Sequence, residues 1–103
     1  MRIYISGKIT NDPMYVTKFA VAELMLQKEG YDTLNPARAM SNFPTYTPYS
    51  TYMACSFRLL DMCDTIYLLK DWEESCGARM EYEYAKATGK NILYEERIKN
   101  AES

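Results

Sequence analysis

The sequence predicts an α/β domain in which a small parallel sheet of about four strands carries helices on both faces. Short β-rich runs alternate with longer segments whose apolar residues have helical spacing. The resulting order, β-α-β-α-β-α-β, is typical of a parallel sheet with crossover helices. The 103 residues contain no linker or internal repeat and suit one domain, residues 1–103, with a modest core.

The first half of the chain predicts a strand, a helix and a weaker strand. The first strand is Arg2 to Ser6. The helix begins with Asp12 as N-cap and Pro13 at its first position, and Gly30 ends it. Tyr31 to Asn35 is the weaker strand. The helix has one apolar stripe, which consists of Tyr15, Phe19, Ala22 and Leu26.

The second half predicts an irregular stretch and then helix, strand, helix and strand. Pro36 to Tyr49 is the irregular stretch, and its aromatic residues either form a functional loop or complete the core or a subunit contact. The helices span Ser50 to Met62 and about Ser75 to Thr88, and the strands span Asp64 to Leu69 and Asn91 to Tyr94. The first of these helices turns three apolar residues inward, namely Met53, Phe57 and Leu60.

Composition excludes several classes of protein. The net charge of −2 and the absence of a basic patch argue against binding to a nucleic-acid polymer. No histidine is present, which removes histidine triads and histidine metal sites, and we expect neither a metal nor a cofactor. Cys55, Cys63 and Cys76 lack metal-ligand spacing and indicate reduced thiols of a cytoplasmic protein. We expect no signal peptide and no membrane association.

The candidate site lies where two predicted strands end. The Ser6–Gly7 loop follows the first strand and the loop from Trp72 to Gly77 follows the third. Since folds of this kind bind ligands at the carboxyl ends of their strands, both loops point to one crevice. Ser75 and Gly77 begin a helix, whose free N–H groups and positive dipole end suit an anion. Glu81 follows on the inward face of that helix. It is either functional or a satisfied carboxylate at the rim of the core.

A set of residues spread over roughly 2–94 has a characteristic order and spacing: Tyr4 to Ile9, Asn35–Pro36, Cys63–Asp64, Trp72–Glu73, Ser75, Gly77–Ala78, Glu81, Ala85 and Gly89–Lys90. Together they resemble the nucleoside 2-deoxyribosyltransferase superfamily. The resemblance is closest to its short, often phage-borne or bacterial members of uncharacterised function. It implies a small Rossmann/flavodoxin-like fold and a homo-oligomer in which neighbours complete the active site.

The resemblance also implies a chemistry. These enzymes cleave the N-glycosidic bond of 2′-deoxynucleosides or their 5′-monophosphates, so the implied ligand is a small deoxynucleoside or deoxynucleotide. Glu81 matches the glutamate that attacks the anomeric carbon, and Tyr4 matches a tyrosine that positions it. Water or a second base then releases the sugar, which is the logic of a retaining glycosidase. The product is a free base together with a sugar or a new nucleoside.

Further positions are implied to bind the substrate. Gly7, beside Ser6, matches a glycine that lets the base or sugar approach the backbone. Ser75 matches a serine that binds a 5′-phosphate in the monophosphate hydrolases of the superfamily. Lys8 is a second candidate phosphate contact or a solvated lysine. Trp72 is either a loop anchor or a lid over the pocket.

One position departs from the superfamily. An aspartate usually stands eight residues before Asp64 and protonates the leaving base, but here that residue is Ser56. Loss of a general acid typically lowers a rate by about 10²–10⁴-fold. Asp71 is a possible substitute acid from the loop. The alternatives are therefore a slow enzyme, an enzyme with another acid, or a nucleotide-binding module without catalysis.

Overall fold

The computed structural model describes residues 1–95 of the chain. Within that range, four β-strands and four α-helices confirm the predicted α/β class. In chain order they are β1 (Arg2–Ser6), α1 (Tyr15–Lys28), β2 (Asp32–Leu34), α2 (Pro36–Ala39), α3 (Tyr49–Asp61), β3 (Thr65–Leu68), α4 (Cys76–Ala87) and β4 (Asn91–Tyr94). A 3₁₀ turn, Trp72–Glu74, precedes α4.

The described strands form one four-stranded sheet in the order β2-β1-β3-β4, and every neighbouring pair is parallel. The predicted flavodoxin-like parallel sheet is therefore confirmed. The chain moves outward from β1 to β2 and then returns past β1 to β3. This reversal makes the gap between β1 and β3 the switch point, where sheets of this kind bind ligands at the carboxyl ends of their strands.

Helices cover both faces of the sheet, as predicted, because alternate residues of β1 point in opposite directions. On one face, α1 packs its apolar stripe against β1; this cluster includes Ile3, Ile5, Phe19, Ala22 and Leu26. On the other face, α3 and α4 pack against β1 and β3; this cluster includes Tyr4, Leu60, Ile66, Leu68, Ala78 and Ala85.

The start of α1 differs from the prediction. The helix begins at Tyr15, not at Pro13, and Met14 occupies the cap position without a side-chain cap. Asp12 still accepts the backbone N–H of Met14 at 2.9 Å, and its carboxylate also pairs with Lys18. The carboxylate therefore stabilises a turn that leads into the helix instead of capping it directly.

The stretch from Pro36 to Tyr49 is not irregular throughout, because its first four residues form α2. The side chain of Asn35 accepts two backbone N–H groups of this short helix, and proline suits its first turn. Asn35 and Arg38 also donate hydrogen bonds to Glu23, a buried carboxylate of α1. The sequence pattern missed this polar link, which holds α2 against α1.

Candidate active site

Glu81 lies on the side of α4 that faces the sheet. Ala78 and Ala85 share this side of the helix, at three residues before and four after, and both are almost inaccessible. Glu81 is itself only 7% exposed. A carboxylate at this depth loses most of its hydration and needs hydrogen-bond donors to remain charged.

Two hydroxyl groups of β1 supply such donors. The Tyr4 hydroxyl donates to Oε2 of Glu81 at 2.8 Å, and the Ser6 hydroxyl donates to Oε1 at 2.5 Å. Tyr4 and Ser6 are two residues apart on a strand, so their side chains point to the same face. Since Ser6 is the last residue of β1, the pair fixes Glu81 at the carboxyl edge of the sheet, beside the switch point.

The electrostatics of the cluster follow from its burial. Burial raises the pKa of Glu81 above the ordinary glutamate value, while hydrogen bonds from Ser6, Tyr4 and Ser56 oppose the rise. Burial and the charge of Glu81 raise the pKa of Tyr4 well above that of free tyrosine. Tyr4 therefore stays a protonated donor at neutral pH. A carboxylate held by hydroxyl donors and shielded from water is an arrangement that suits a nucleophile.

Ser56 lies in the same cluster. It is buried on α3, and its hydroxyl lowers the pKa of both Glu81 and Tyr4 by hydrogen bonding. Ser56, which stands where the resemblance implies an acid, thus lies beside Glu81, although the two residues are far apart in the chain. A serine hydroxyl holds its proton too tightly to protonate a leaving base efficiently.

Ser75 caps α4, as its position before the helix predicts. Its side-chain oxygen accepts the backbone N–H of Ala78 at 3.0 Å. Gly77 lies in the first turn, where a Cβ would stand 3.0 Å from the Tyr49 hydroxyl and 3.3 Å from the sulfur of Met53. Gly77 therefore permits close packing of α3 on the start of α4.

Tyr49 is a residue that the sequence analysis did not assign to the site. It is the first residue of α3, and its hydroxyl lies over the first turn of α4 beside Gly77. Its pKa is raised first by partial burial and further by electrostatic interactions with Cys76 and Glu81. The sequence contains no local signal for this placement, since Tyr49 stands at the end of a tyrosine-rich stretch with several equivalent residues.

Gly7 packs against a core side chain. A Cβ at this position would stand 2.7 Å from Cδ1 and 2.9 Å from Cβ of Leu69, a residue that is 2% exposed. The loop after β1 therefore has room for a hydrogen atom but not for a methyl group. This contact gives Gly7 a packing role in addition to the ligand approach that the resemblance implies.

Gly7→Ala should lower the free energy of unfolding by about 1–3 kcal/mol, the usual penalty for overpacking a core contact. Denaturant unfolding of the variant and the wild type measures the difference. Leu69→Ala in the Gly7→Ala background removes the clash, so the double variant should lose less stability than the sum of the two single variants. Additive losses would contradict the proposed contact.

Lys8 and Asp71 connect the two loops at the switch point. Asp71 accepts the backbone N–H of Lys8 at 3.0 Å and forms an ion pair with Lys18 of α1. The ammonium group of Lys8 lies 3.4 Å from the Glu74 carboxylate. The Asp71 carboxylate therefore links its own loop to the loop after β1 and to α1. Because it is already engaged in these contacts, it is a poor candidate for a substitute acid.

Trp72 is packed as an anchor of the β3–α4 loop. It is 8% exposed, and its ring lies 4.8 Å from that of Tyr82 and 6.3 Å from that of Tyr94, measured between centroids. Its indole N–H has no hydrogen-bond partner within residues 1–95. Of the two alternatives for Trp72, these contacts favour the loop anchor over the lid.

Residues 1–95 contain no cluster of acidic, cysteine or histidine side chains able to hold a metal ion. Within the same residues, no helix has the length and apolar character that crossing a bilayer requires.

A family model covers almost the whole chain. Residues 1–94 match the family described as Domain of unknown function (DUF4406), and the chain belongs to that family. No curated protein has a significantly similar sequence.

Solved structures with the same fold include two deoxyribosyltransferases. A 2-deoxyribosyltransferase from Bacillus psychrosaccharolyticus superposes with a TM-score of 0.73 at 13% identity, over 91% of this chain and 71% of the enzyme. A 2-desoxiribosyltransferase from Leishmania mexicana superposes with a TM-score of 0.68 at 22% identity, over 90% of this chain and 62% of that protein. The similarity to nucleoside 2-deoxyribosyltransferases is thus confirmed at the level of the fold, and the chain is shorter than both enzymes.

Proposed function

We propose that this protein cleaves the N-glycosidic bond of a 2′-deoxynucleoside 5′-monophosphate or a 2′-deoxynucleoside, with Glu81 as the nucleophile. The observation that carries the proposal is the buried Glu81 carboxylate, held by the Tyr4 and Ser6 hydroxyls at the carboxyl edge of β1. A structural carboxylate gains little from this position, whereas a nucleophile needs both the orientation and the shielding from water.

The proposed reaction has two steps. An oxygen of Glu81 forms a bond to the anomeric carbon, and the bond from that carbon to the base nitrogen breaks, with its electron pair leaving on the base. The Tyr4 and Ser6 hydroxyls hold the attacking carboxylate in line. Water then attacks the same carbon, breaks the ester bond to Glu81 and gives up a proton, which balances the proton that the departed base takes from solvent. A second base can attack in place of water, and a new nucleoside then forms. The missing hydroxyl at the 2-position of the sugar favours the oxocarbenium-like transition state.

The start of α4 would hold the 5′ end of the substrate. Ser75 caps this helix and Gly77 lies in its first turn, where backbone N–H groups and the helix dipole favour a phosphate. The Ser75 hydroxyl accepts a bond from the helix and can still donate its own proton. The Tyr49 hydroxyl, next to Gly77, is a further donor at this end of the site.

A nucleotide-binding module without turnover is the second candidate. The observation that favours it is Ser56, buried beside Glu81 where a general acid is expected. Such a module would keep the phosphate-binding start of α4 and the hydroxyl groups around Glu81, and it would release the ligand unchanged. We also propose that the protein acts in the cytoplasm, in line with the free thiols of Cys55, Cys63 and Cys76, and as a homo-oligomer.

A substrate panel separates the two candidates. The protein is incubated with the 2′-deoxynucleosides, their 5′-monophosphates and the matching ribonucleotides, and free base is measured by chromatography. The enzyme hypothesis expects base from deoxy substrates and much less from ribonucleotides. Binding of a deoxynucleotide by calorimetry, without any base released over many hours, would support the module and contradict the enzyme.

Ser56→Asp should raise the rate of base release, because it restores a carboxyl group beside Glu81. Two carboxyl groups this close cannot both ionise readily, so one of them keeps a proton for the leaving base. The expected increase in kcat is on the order of 10²-fold, within the usual range for a general acid. Ser56→Asn, which has the same shape without an acidic proton, is the matched control. Equal rates in the two variants would exclude the loss of an acid at position 56 as the limitation.

A further inference from the structure

Departure of a neutral base needs an acid, and the hydroxyl groups around Glu81 do not supply one. Ser56 stands at the implied position of the acid and is 5% exposed. Its hydroxyl hydrogen-bonds to Glu81, as do those of Tyr4 and Ser6, which donate at 2.8 Å and 2.5 Å. Hydroxyl groups give up a proton far less readily than a carboxyl group does, and burial raises the pKa of Tyr4 further. These groups hold the carboxylate, but they leave the departing base without a proton.

Two carboxyl groups of the β3–α4 loop are engaged as well. One oxygen of Asp71 accepts the backbone N–H of Lys8 at 3.0 Å, and the other accepts the ammonium group of Lys18. Glu74 of the same loop lies 3.4 Å from the ammonium group of Lys8. A carboxylate that accepts bonds from such donors has no proton to give. Both carboxylates thus act as acceptors for groups of the chain itself, and neither is a free acid for a leaving base.

We propose that this site takes a nucleotide whose base carries a fixed positive charge, either an N-alkylated purine or a pyridinium ring, because such a base departs without an acid. The proposal rests on the proposed function, with Glu81 as the nucleophile, and names the class of its substrate. A cationic base draws electrons from the glycosidic bond before the reaction begins. The structural reason is the combination of a buried carboxylate with neutral hydroxyl groups, one of which occupies the place of the acid.

The chemistry balances without proton transfer to the base. An oxygen of Glu81 bonds to the anomeric carbon, and the bond from that carbon to the ring nitrogen breaks. The electron pair of this bond stays on the nitrogen and cancels the positive charge of the ring, so the base leaves neutral. Water then attacks the anomeric carbon, breaks the ester bond to Glu81 and gives up one proton to solvent. The products are the neutral base, the sugar phosphate and one proton.

The charge of Glu81 favours a cationic base. Its partners Tyr4, Ser6 and Ser56 are neutral, so they stabilise the carboxylate without compensating its charge. The lysines that contact the loops at the switch point are paired with other carboxylates: Lys8 with Glu74, and Lys18 with Asp12 and Asp71. A buried carboxylate is stabilised when an opposite charge comes close to it. An anionic leaving group such as phosphate would also need no acid, but it would bring a second negative charge to the same place.

A matched pair of substrates tests the proposal. The nucleotides 2′-deoxyguanosine 5′-monophosphate and its 7-methyl derivative share the sugar, the phosphate and the purine ring, and the methyl group adds the positive charge. Free base is measured by chromatography with and without the full chain, because the methylated compound also hydrolyses unaided. The ratio of the two rates is the acceleration for each substrate. The wild type should accelerate release of 7-methylguanine at least as much as release of guanine.

A general acid would produce the opposite preference. It would accelerate release of guanine more than release of 7-methylguanine, by about 10²–10⁴-fold, because only the neutral base needs the proton. That result would overturn the proposal, and it is the result expected if a neighbouring copy supplies the acid.

Variants at position 56 give an independent comparison. Ser56→Asp adds an acid, so it should bring the rates for the two substrates about 10²-fold closer together than Ser56→Asn, its matched control, does. An equal ratio of rates in the two variants would overturn the proposal. Circular dichroism verifies that both variants retain the fold, and the comparison in the wild type decides the question if either does not.

Failure of the proposed function has a different signature. If neither substrate releases base faster than it does without protein, or if Glu81→Gln releases 7-methylguanine at the wild-type rate, the nucleophile is wrong and the charged base is rejected with it. If guanine release is preferred and is lost in Glu81→Gln, the nucleophile stands and only the charged base is rejected. Where the charged base is confirmed, a further pair decides which ring the site takes. Nicotinamide mononucleotide and 7-methylguanosine 5′-monophosphate share ribose and phosphate, and the faster release identifies a pyridinium ring or an alkylated purine.

Discussion

Glu81→Gln should abolish the release of free base, with a loss of at least about 10³-fold in kcat, because removal of a nucleophile costs several orders of magnitude. Glutamine keeps the shape of the side chain and can still accept a hydrogen bond from Tyr4 or Ser6. It cannot form a reactive ester with the sugar. Chromatographic measurement of free base, under the conditions that give the fastest wild-type turnover, provides the comparison.

The control for this experiment lies on the same helix. Glu83 is exposed on the opposite side of α4, so Glu83→Gln removes the same charge from the protein without touching the site. We expect full activity in that variant. Base release by Glu81→Gln at the wild-type rate would show that Glu81 is not the nucleophile, even if the protein proved to be an N-glycosidase.

The pH dependence of the same activity gives a second readout. A nucleophilic carboxylate has to be ionised, and burial raises the pKa of Glu81. Base release should therefore decline on the acid side at a higher pH than an ordinary glutamate would produce. Ligand binding measured by calorimetry need not follow this decline, which separates ionisation of the nucleophile from weakened affinity.

Glu81→Gln should also remove a pH dependence of stability. Because the pKa of Glu81 is raised on folding, the folded state binds more protons than the unfolded state between the ordinary glutamate value and the raised value. The free energy of unfolding of the wild type therefore falls as pH rises through this window. The ionised carboxylate thus destabilises the folded state at neutral pH. The glutamine side chain does not titrate, so the variant should lack this fall.

Chemical denaturation of both proteins from acid to neutral pH measures this effect. The glutamine variant should gain stability relative to the wild type as pH rises, and the difference should be smallest at acid pH. Glu83→Gln again serves as the control and should follow the wild type. The opposite result, a wild type that gains stability relative to Glu81→Gln as pH rises, would contradict this prediction. It would mean that the hydroxyl donors lower the pKa of Glu81 more than burial raises it, so that the ionised carboxylate stabilises the folded state.

Local sequence patterns determined the elements of this fold. Helical spacing of apolar residues located α1, α3 and α4, and the serine before Cys76 marked the start of α4 because its side chain caps the helix. The same spacing placed Glu81 between Ala78 and Ala85 on an inward face. These features depend on residues within one or two turns of each other, which is the range that a single sequence reveals. The two errors were the start of α1, where the Asp12 carboxylate stabilises a turn before the helix, and the missed α2, which Asn35 caps and Glu23 of α1 holds in place.

Tertiary structure decided what surrounds Glu81. Its hydroxyl donors Tyr4 and Ser6 are 77 and 75 residues away, and Ser56 comes from a third element, so only the parallel pairing of β1 with β3 brings them together. The contacts of Gly7 with Leu69 and of Gly77 with Tyr49 have the same origin. The sequence by itself thus determined an α/β chain with a carboxylate on the inward side of α4. Packing between distant segments decided that this carboxylate is buried among hydroxyls, because that property is not encoded in residues that are neighbours in the chain.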